Sequence, residues 1–278
     1  MSQLYTHNTN FFEVPDNINC YYAGLLAADG CISSTKYSRY LSLEPAIRDS
    51  ELVYRLRSAL EYTGPIYEYQ HRKTAALVVC SKSLIYDLEG NFNLSERKSL
   101  TLEPPNIKDE KMLSGYIRGY SDGDGSIIYN KYGNTWQYKI MGTNKILAWI
   151  NSVFKQYAAR YWWQDQCPKR QGNAYYITYR GKIALRILDW LYQDSTESTR
   201  LSRKYNKYRY MHHYYENRKE ASQYRGVTFN KAKNHWRANL KHKGRSYYLG
   251  SFENEIEAAK AYNTQLISFG ITDRHNII

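Results

Sequence analysis

Two periods of apolar residues divide the chain into alternating strand-like and helix-like segments. Strand-like runs fall at 38–44, 65–70 and 74–80, with helical spacing at 50–62 (Ser50 as its N-cap) and 82–90. The same order recurs downstream. Strands are expected near 126–131 and 135–141, a helix near 144–159, strands near 161–166 and 174–180, and a helix at 182–192. The alternation in Tyr175-Tyr176-Ile177-Thr178-Tyr179 marks a half-buried strand. Leu52–Leu60 and Ile146–Phe154 place apolar residues three and four apart, which turns one helix face to a core. A basic, Tyr-rich join at 200–220 (Arg200, Arg203, Lys204, Lys207, Arg209, Arg218, Lys219) leads to a third pattern. That pattern has strands at 224–229, 234–241 and 245–250 and an Ala-rich helix at 255–269.

The recurrence is an internal duplication. Residues 22–30 read Tyr-Ala-Gly-Leu-Leu-Ala-Ala-Asp-Gly and residues 117–125 read Ile-Arg-Gly-Tyr-Ser-Asp-Gly-Asp-Gly. Each opens one α-β-β-α-β-β-α unit. The expected fold class is α+β: a pseudo-twofold, duplicated core with two antiparallel sheets, followed by a small domain of three strands and a helix. The core spans 1–210, in halves of about 15–105 and 110–210. A basic linker at 211–222, the small domain at 223–270 and a tail at 271–278 follow.

The paired segments carry the candidate chemistry. If each ends a helix, Gly24 and Ala28, and Gly119 and Gly123, lie four apart on one face, so two backbones can approach closely. The acid before the final glycine, Asp29 in one and Asp124 in the other, would then sit at the foot of each helix. Two carboxylates so placed suit Mg²⁺ or Mn²⁺, hard ions that keep several waters and bridge to phosphate oxygens. A metal held there activates water and neutralises a leaving oxygen. An Asp-Gly turn that merely ends a helix is the plain alternative, and it leaves the duplication as coincidence.

Composition narrows the partner. A formal charge of +13 points to an anionic one, nucleic acid or a membrane surface. The small domain holds nine Lys and Arg against four Asp and Glu within 221–278, so both units are basic. Thirty tyrosines suit sheet surfaces as well as contacts to sugars and phosphates. Cys20, Cys31, Cys80 and Cys167 form no C-x-x-C pair, which argues against zinc fingers and a disulfide scaffold. His212-His213 is adjacent, a poor metal spacing, and His275-Asn276 lacks the residues of a splicing terminus. A polar N-terminus and no long apolar run lead to the expectation of a soluble, intracellular protein.

Residues 22–30 and 117–125 resemble the signature of the LAGLIDADG homing endonucleases over roughly residues 15–210. Tyr22 and Ala27 depart in the first copy. Arg118, Tyr120 and Ser121 depart in the second, while Gly119, Asp122, Asp124 and Gly125 agree. The resemblance implies a monomeric, metal-dependent enzyme that cuts double-stranded DNA across the minor groove and leaves 3′ overhangs. It implies Asp29 and Asp124 as metal ligands, and a helix-interface role for Asp122. It also implies a basic residue late in each half, at Leu94-Ser95-Glu96-Arg97-Lys98 and Leu201-Ser202-Arg203-Lys204. Lys98 and Lys204 are the catalytic candidates there, with Arg97 and Arg203 one place off and Arg48 as an auxiliary group. An intron RNA maturase and a non-cleaving DNA-binding regulator remain the alternatives on the same fold.

Residues 223–270 resemble the ethylene-response-factor (Apetala-two) type DNA-binding domain. The resemblance rests on Tyr224-Arg225-Gly226-Val227, His235-Trp236-Arg237-Ala238, Tyr248-Leu249-Gly250-Ser251-Phe252 and the helix around Glu257-Ala258-Ala259. It implies a three-stranded sheet in the major groove, with Arg225, Trp236, Arg237, Lys241, Arg245 and Tyr248 as DNA-contact candidates. Thr228 and Asn230 replace two arginines usual after the first turn, so base preference does not carry over. Alternation sets Arg237, Asn239 and Lys241 on one side and Ala238 and Leu240 on the other.

Overall fold

The computed structural model describes residues 5–98, 101–158, 166–216, 222, 224–276 and 278. The chain divides into two compact units, one ending at Arg209 and the other beginning at Tyr210. In the first, the duplicated order appears as α1 (Asn17–Asp29), β1 (Gly30–Ser34), β2 (Arg39–Leu43), α2 (Glu51–Ala59), β3 (Ile66–Tyr69), β4 (Thr74–Cys80) and α3 (Lys82–Phe92). It repeats as α4 (Glu110–Asp124), β5 (Gly125–Asn130), β6 (Thr135–Gly142), α5 (Asn144–Val153), β7 (Lys169–Gln171), β8 (Ala174–Arg180) and α6 (Gly181–Tyr192). Two four-stranded antiparallel sheets result, ordered β1-β2-β4-β3 and β5-β6-β8-β7, the same topology twice. The fold is the expected α+β class.

Local chemistry sets the helix starts. Asp16 caps α1 by accepting from the Ile18 and Asn19 amides at 2.7 Å, while the Asn19 side chain accepts from Asp16 N, closing a capping box. Asp109 caps α4 in the same way through the amides of Lys111 and Met112. Ser50 does not act as the expected side-chain cap of α2. A 3₁₀ turn at Ile47–Asp49 runs straight into that helix, so the Ser50 amide is already bonded to the Ile47 carbonyl. After α5 the backbone continues as a π-turn over Phe154–Ala158. The strand expected at 161–166 lies, apart from Gln166, outside the described residues; β7 at Lys169–Gln171 is the described strand at the edge beside β8. Arg218 and Lys219 of the basic join are likewise outside them. Within the join, Ser202–Glu216 forms α7.

The packing of α1 on α4 is the centre of the first unit. A Cβ added at Gly24 would lie 1.9 Å from the Tyr116 carbonyl oxygen, and one at Gly119 would lie 1.8 Å from the Tyr21 carbonyl oxygen. Side chain is therefore excluded at both crossing points, and backbone rests on backbone. Around this seam Tyr21, Tyr22, Tyr116 and Tyr120 are almost fully buried. Arg118, which breaks the sequence signature, is buried too. Its Nε donates to Thr199 O at 2.7 Å and its NH1 group to Leu191 O at 2.6 Å, so α4 holds the segment that leads into α7.

The second unit is built from β9 (Val227–Asn230), β10 (His235–His242), β11 (Arg245–Phe252) and α8 (Glu255–Ser268), with strand order β11-β10-β9. Val227, Ala238, Ala258 and Ala259 form one core cluster, and Leu240, Tyr262 and Leu266 a second. Gly226 sits at φ +75°, and a Cβ there would meet the Tyr262 ring at 2.1 Å. The turn therefore needs glycine twice over. The last residues, expected as a tail, fold back on this unit. Asn276 accepts from the Arg225 amide at 2.6 Å and donates to the Arg225 carbonyl at 3.0 Å.

The glycine seam yields a paired prediction. Gly119→Ala should destabilise the protein by about 3 kcal/mol, since a new methyl group must force two helix backbones apart. Gly90→Ala, on the exposed side of α3 with nothing within 4 Å, should stabilise by roughly 0.5–1 kcal/mol through helix propensity. Denaturant melts of both variants test this; equal effects would contradict the reading of the seam.

Candidate active site

The seam delivers both acids to one place. Each motif helix ends at its aspartate, and the following glycine begins the first strand of its sheet: α1 at Asp29 into β1, α4 at Asp124 into β5. The helix pair is tight at this end as well. A Cβ on Gly123 would lie 2.4 Å from Ala28 Cβ and 3.1 Å from the Asp29 carboxylate, so that carboxylate lies against the last turn of α4. Asp29 is open to solvent and Asp124 is half-buried. Burial and the neighbouring Asp29 charge push the Asp124 carboxyl up to about 6, against the opposing pull of Lys98, Lys204 and a Tyr120 hydrogen bond. Surrounding protein raises Asp29 as well, countered first by Lys204 and then by Lys98.

Both expected lysines reach this centre by matching routes. Lys98 Nζ donates to Ala28 O at 3.3 Å, at the C-terminal end of α1. Lys204 Nζ donates to Ser121 O at 2.7 Å, Asp122 O at 2.6 Å and Gly123 O at 3.2 Å, at the C-terminal end of α4. A cation on the exposed carbonyls of a helix terminus offsets the negative end of its dipole. Each lysine therefore holds the helix end of its own half and places positive charge beside the acid of the other half. Both are buried, and burial pulls Lys204 down to about 8 and lowers Lys98. Lys98 and Asp124 line one cleft with Tyr120, Met141 and Thr143, so the first half supplies a cation to the second half's acid.

The neighbouring arginines do other work. Arg203 is paired with the Asp49 carboxylate, through Nε and through an NH2 contact at 2.6 Å, which binds α7 to the start of α2. Arg97 is exposed, at φ 56° in the turn before Lys98. Arg48 is 74% exposed and leans on Asp49 at 3.8 Å. Asp122 is buried, accepting from Tyr21 OH at 2.8 Å and Leu201 N at 2.7 Å, the interface role expected of it. Sequence reasoning missed the residues that hold the start of α7 and the segment before it: Glu51, which accepts from Ser202 N at 2.7 Å, Arg55, which donates to Arg200 O at 2.6 Å, and Arg118, which donates to Thr199 O. Arg118 alone left a signal, as a departure from the signature within the second motif.

The candidates of the small unit separate by strand register. Arg237 pairs with Ser251, Asn239 with Tyr248 and Lys241 with Ser246, which puts these side chains on the face away from α8. Tyr248 is 63% exposed there. A bulge after Ala238, where the Asn239 amide donates to Gly226 O at 2.7 Å, keeps this face aligned. Trp236 shares the parity of Ala238 and Leu240 and packs against the core beside Phe229. Arg245 is exposed at the β10–β11 turn. Arg225 lies in the turn before β9, its backbone tied to Asn276.

No family model matches the sequence, and no curated protein matches it. Solved structures do resemble the fold. The I-SmaMI meganuclease bound to uncleavable DNA with a TTGT central four is 12% identical with a TM-score of 0.50, over 72% of this chain and 90% of that one. The I-LtrWI LAGLIDADG homing endonuclease bound to target DNA is 14% identical with a TM-score of 0.49, over 72% and 91%. I-DmoI in complex with DNA and Ca is 16% identical with a TM-score of 0.45, over 69% and 94%. Among the described residues no helix is long and apolar enough to cross a membrane. At such identities the likeness, carried by I-SmaMI, is one of fold: the chain has the α+β architecture of the LAGLIDADG nucleases.

Proposed function

We propose that the protein is a site-specific DNA endonuclease that hydrolyses one phosphodiester bond on each strand of a duplex. The observation that supports this best is the delivery of Asp29 and Asp124 to adjoining helix ends beneath two matching sheets. The donor set suits a divalent cation. Burial and the Asp29 charge raise the proton affinity of Asp124, a repulsion that such an ion relieves. Among the described residues no group of three or more His, Cys, Asp and Glu gathers, so the protein offers only part of a coordination shell. Water and substrate phosphate complete the shell of Mg²⁺ in such sites. When bound, Mg²⁺ or Mn²⁺ supplies a Lewis acid and an activated water.

The chain's own residues supply the remainder. Asp29 and Asp124 hold the ion once deprotonated. Lys98 and Lys204 fix the helix ends that carry those acids and add positive charge near the scissile phosphates. The open faces of the sheets take the flanking duplex, and the pseudo-twofold assigns one acid to each strand. The resemblance to LAGLIDADG enzymes further suggests cutting across the minor groove with 3′ overhangs, by a monomer. The second unit, read as an Apetala-two type domain, adds affinity through its Arg237, Asn239, Lys241 and Tyr248 face, tethered to the nuclease and so locally concentrated. Arg225 and Arg245 at its turns suit phosphate contacts, while Trp236 serves its core.

Cleavage is tested on duplex carrying an uninterrupted version of the gene's own insertion locus, with Mg²⁺. Asp29→Asn and Asp124→Asn should each abolish the double-strand break and leave binding within a few-fold of wild type. Tight binding without cut or nick in any divalent metal would move the reading to a regulator or an RNA maturase.

Acid–base linkage gives an independent check. The Asp124 carboxyl lies above its unfolded value of 3.8, so the folded state binds this proton more tightly than the unfolded chain. Its charge therefore costs stability as pH rises from about 4 through 6, and the full cost stands above that. Asp124→Asn should melt above wild type in EDTA at about pH 8, with the gap closing on acidification to about pH 4. Equal melting across that range would contradict the crowded-carboxylate site.

The second unit's contribution is read from salt. Arg237→Ala and Lys241→Ala should each weaken binding across all sequences and reduce the slope of log affinity against log salt by about 1. Unchanged slopes would remove this face from the interface.

A further inference from the structure

The open faces of the two sheets share a topology but not a chemistry. Register defines each face. In the first sheet Ile32, Leu41, Leu43, Leu77 and Val79 point to the core. The opposite parity gives two cross-strand rows, Cys31–Ser42–Val78 and Ser33–Tyr40–Cys80, continued by Ala76–Tyr67 and Thr74–Tyr69. None of these is basic. Arg39 is the one Lys or Arg within β1–β4, and it lies on the helix side, bound to Glu89 through both guanidinium NH groups.

The second sheet differs along the same rows. Ile127, Tyr138, Ile140, Ile177 and Tyr179 are its core positions. Its open rows read Ser126–Lys139–Thr178, Ile128–Gln137–Arg180 and Met141–Tyr176–Lys169. Lys139 is pre-set on this face: its Nζ donates to Gln171 Oε1 at 2.9 Å and sits 4.2 Å from the centre of the Tyr176 ring. Arg180 stands exposed beside Gln137. In the first half the cations near the sheet are in its turns instead, at Lys36, Arg72 and Lys73. Arg72 there is engaged with Glu44 at 3.2 Å and covers Tyr69.

Base edges in the major groove distinguish these two chemistries. Guanine offers two acceptors, O6 and N7, that suit Lys and Arg; adenine suits the amide of Gln or Asn; the thymine methyl suits small apolar groups. Cations in turns at a sheet's rim suit phosphates, which position the duplex without reading it.

We propose that the two halves read their half-sites differently: the second sheet recognises guanine through Lys139 and Arg180, and the first, with no cation on the open rows of its strands, meets thymine methyl groups through Val78, its Ser and Tyr hydroxyls serving either base pair. This rests on the nuclease reading above. The target is then a chemically asymmetric site, with guanine discrimination concentrated in one half, and the protein docks on it in one orientation only.

The test selects bound duplexes from a randomised library with the full chain, in EDTA so that nothing is cut. Wild type should prefer guanine at positions in one half only. Lys139→Ala with Arg180→Ala should lose those preferences by roughly tenfold or more per position, with the other half unchanged as the internal control for folding. Lys139→Gln and Arg180→Gln should move the preference from guanine to adenine. Tyr40→Phe and Ser42→Ala should alter only the opposite half. Guanine signals in both halves overturn the proposal, as does a uniform loss of affinity with an unchanged profile, which would make both residues phosphate contacts. A flat wild-type profile would overturn the site-specific reading itself, and this proposal with it.

Discussion

Backbone contact between α1 and α4 is the constraint on which the rest of the first unit depends. Gly24 meets the Tyr116 carbonyl and Gly119 the Tyr21 carbonyl, so neither crossing point has room for a side chain. Close approach at that seam carries both helix ends, and hence Asp29 and Asp124, to adjoining positions. It also fixes the start of β1 and β5, since each sheet begins at the residue after its acid. The aspartates are thus placed by packing some distance up the helices, and small residues there do as much for the site as the acids themselves.

Crowding two carboxylates costs free energy, and the surrounding structure limits that cost without removing it. Lys98 and Lys204 bind the carbonyls that end the two motif helices, which offsets the dipoles that would otherwise raise both acids further. The segments bearing these lysines are held from across the pseudo-twofold. Glu51 and Asp49 at the start of α2 bind Ser202 and Arg203, while Thr143 at the start of α5 donates to Leu102 O at 3.1 Å. Each half therefore steadies the other's cation. Asp124 remains raised to about 6 after all of this.

Duplication preserved topology while the faces drifted apart. The sheets have the same strand order, and their core positions match in kind. Core residues are fixed by close packing, where a lost methylene is felt. Open-face residues are free of that restraint, so Ser42 and Tyr40 on one side can correspond to Lys139 and Gln137 on the other. The difference lies where side chains meet a partner and leaves the fold unaltered.

Much of the fold was legible in the sequence because period and repetition are local properties. The strands at 74–80 and 174–180, the helices from 82 and 182, and the doubled Asp-Gly endings could all be read without contacts. The pairing of Asp29 with Asp124 was also legible, since glycines four apart imply close helices. What stayed hidden was long-range. Nothing local says that Arg118 reaches Thr199 and Leu191, that Glu51 caps α7 across the pseudo-twofold, or that Asn276 pins Arg225. Ser50 looked like a cap but is displaced by a 3₁₀ turn that pattern alone does not reveal. Trp236 offered an aromatic face for DNA, and only register and burial against α8 assign it to the core. Sequence determined the elements and the acids because each depends on its neighbours along the chain. Tertiary structure decided which charges meet and which faces stay open, because those depend on residues far apart in sequence.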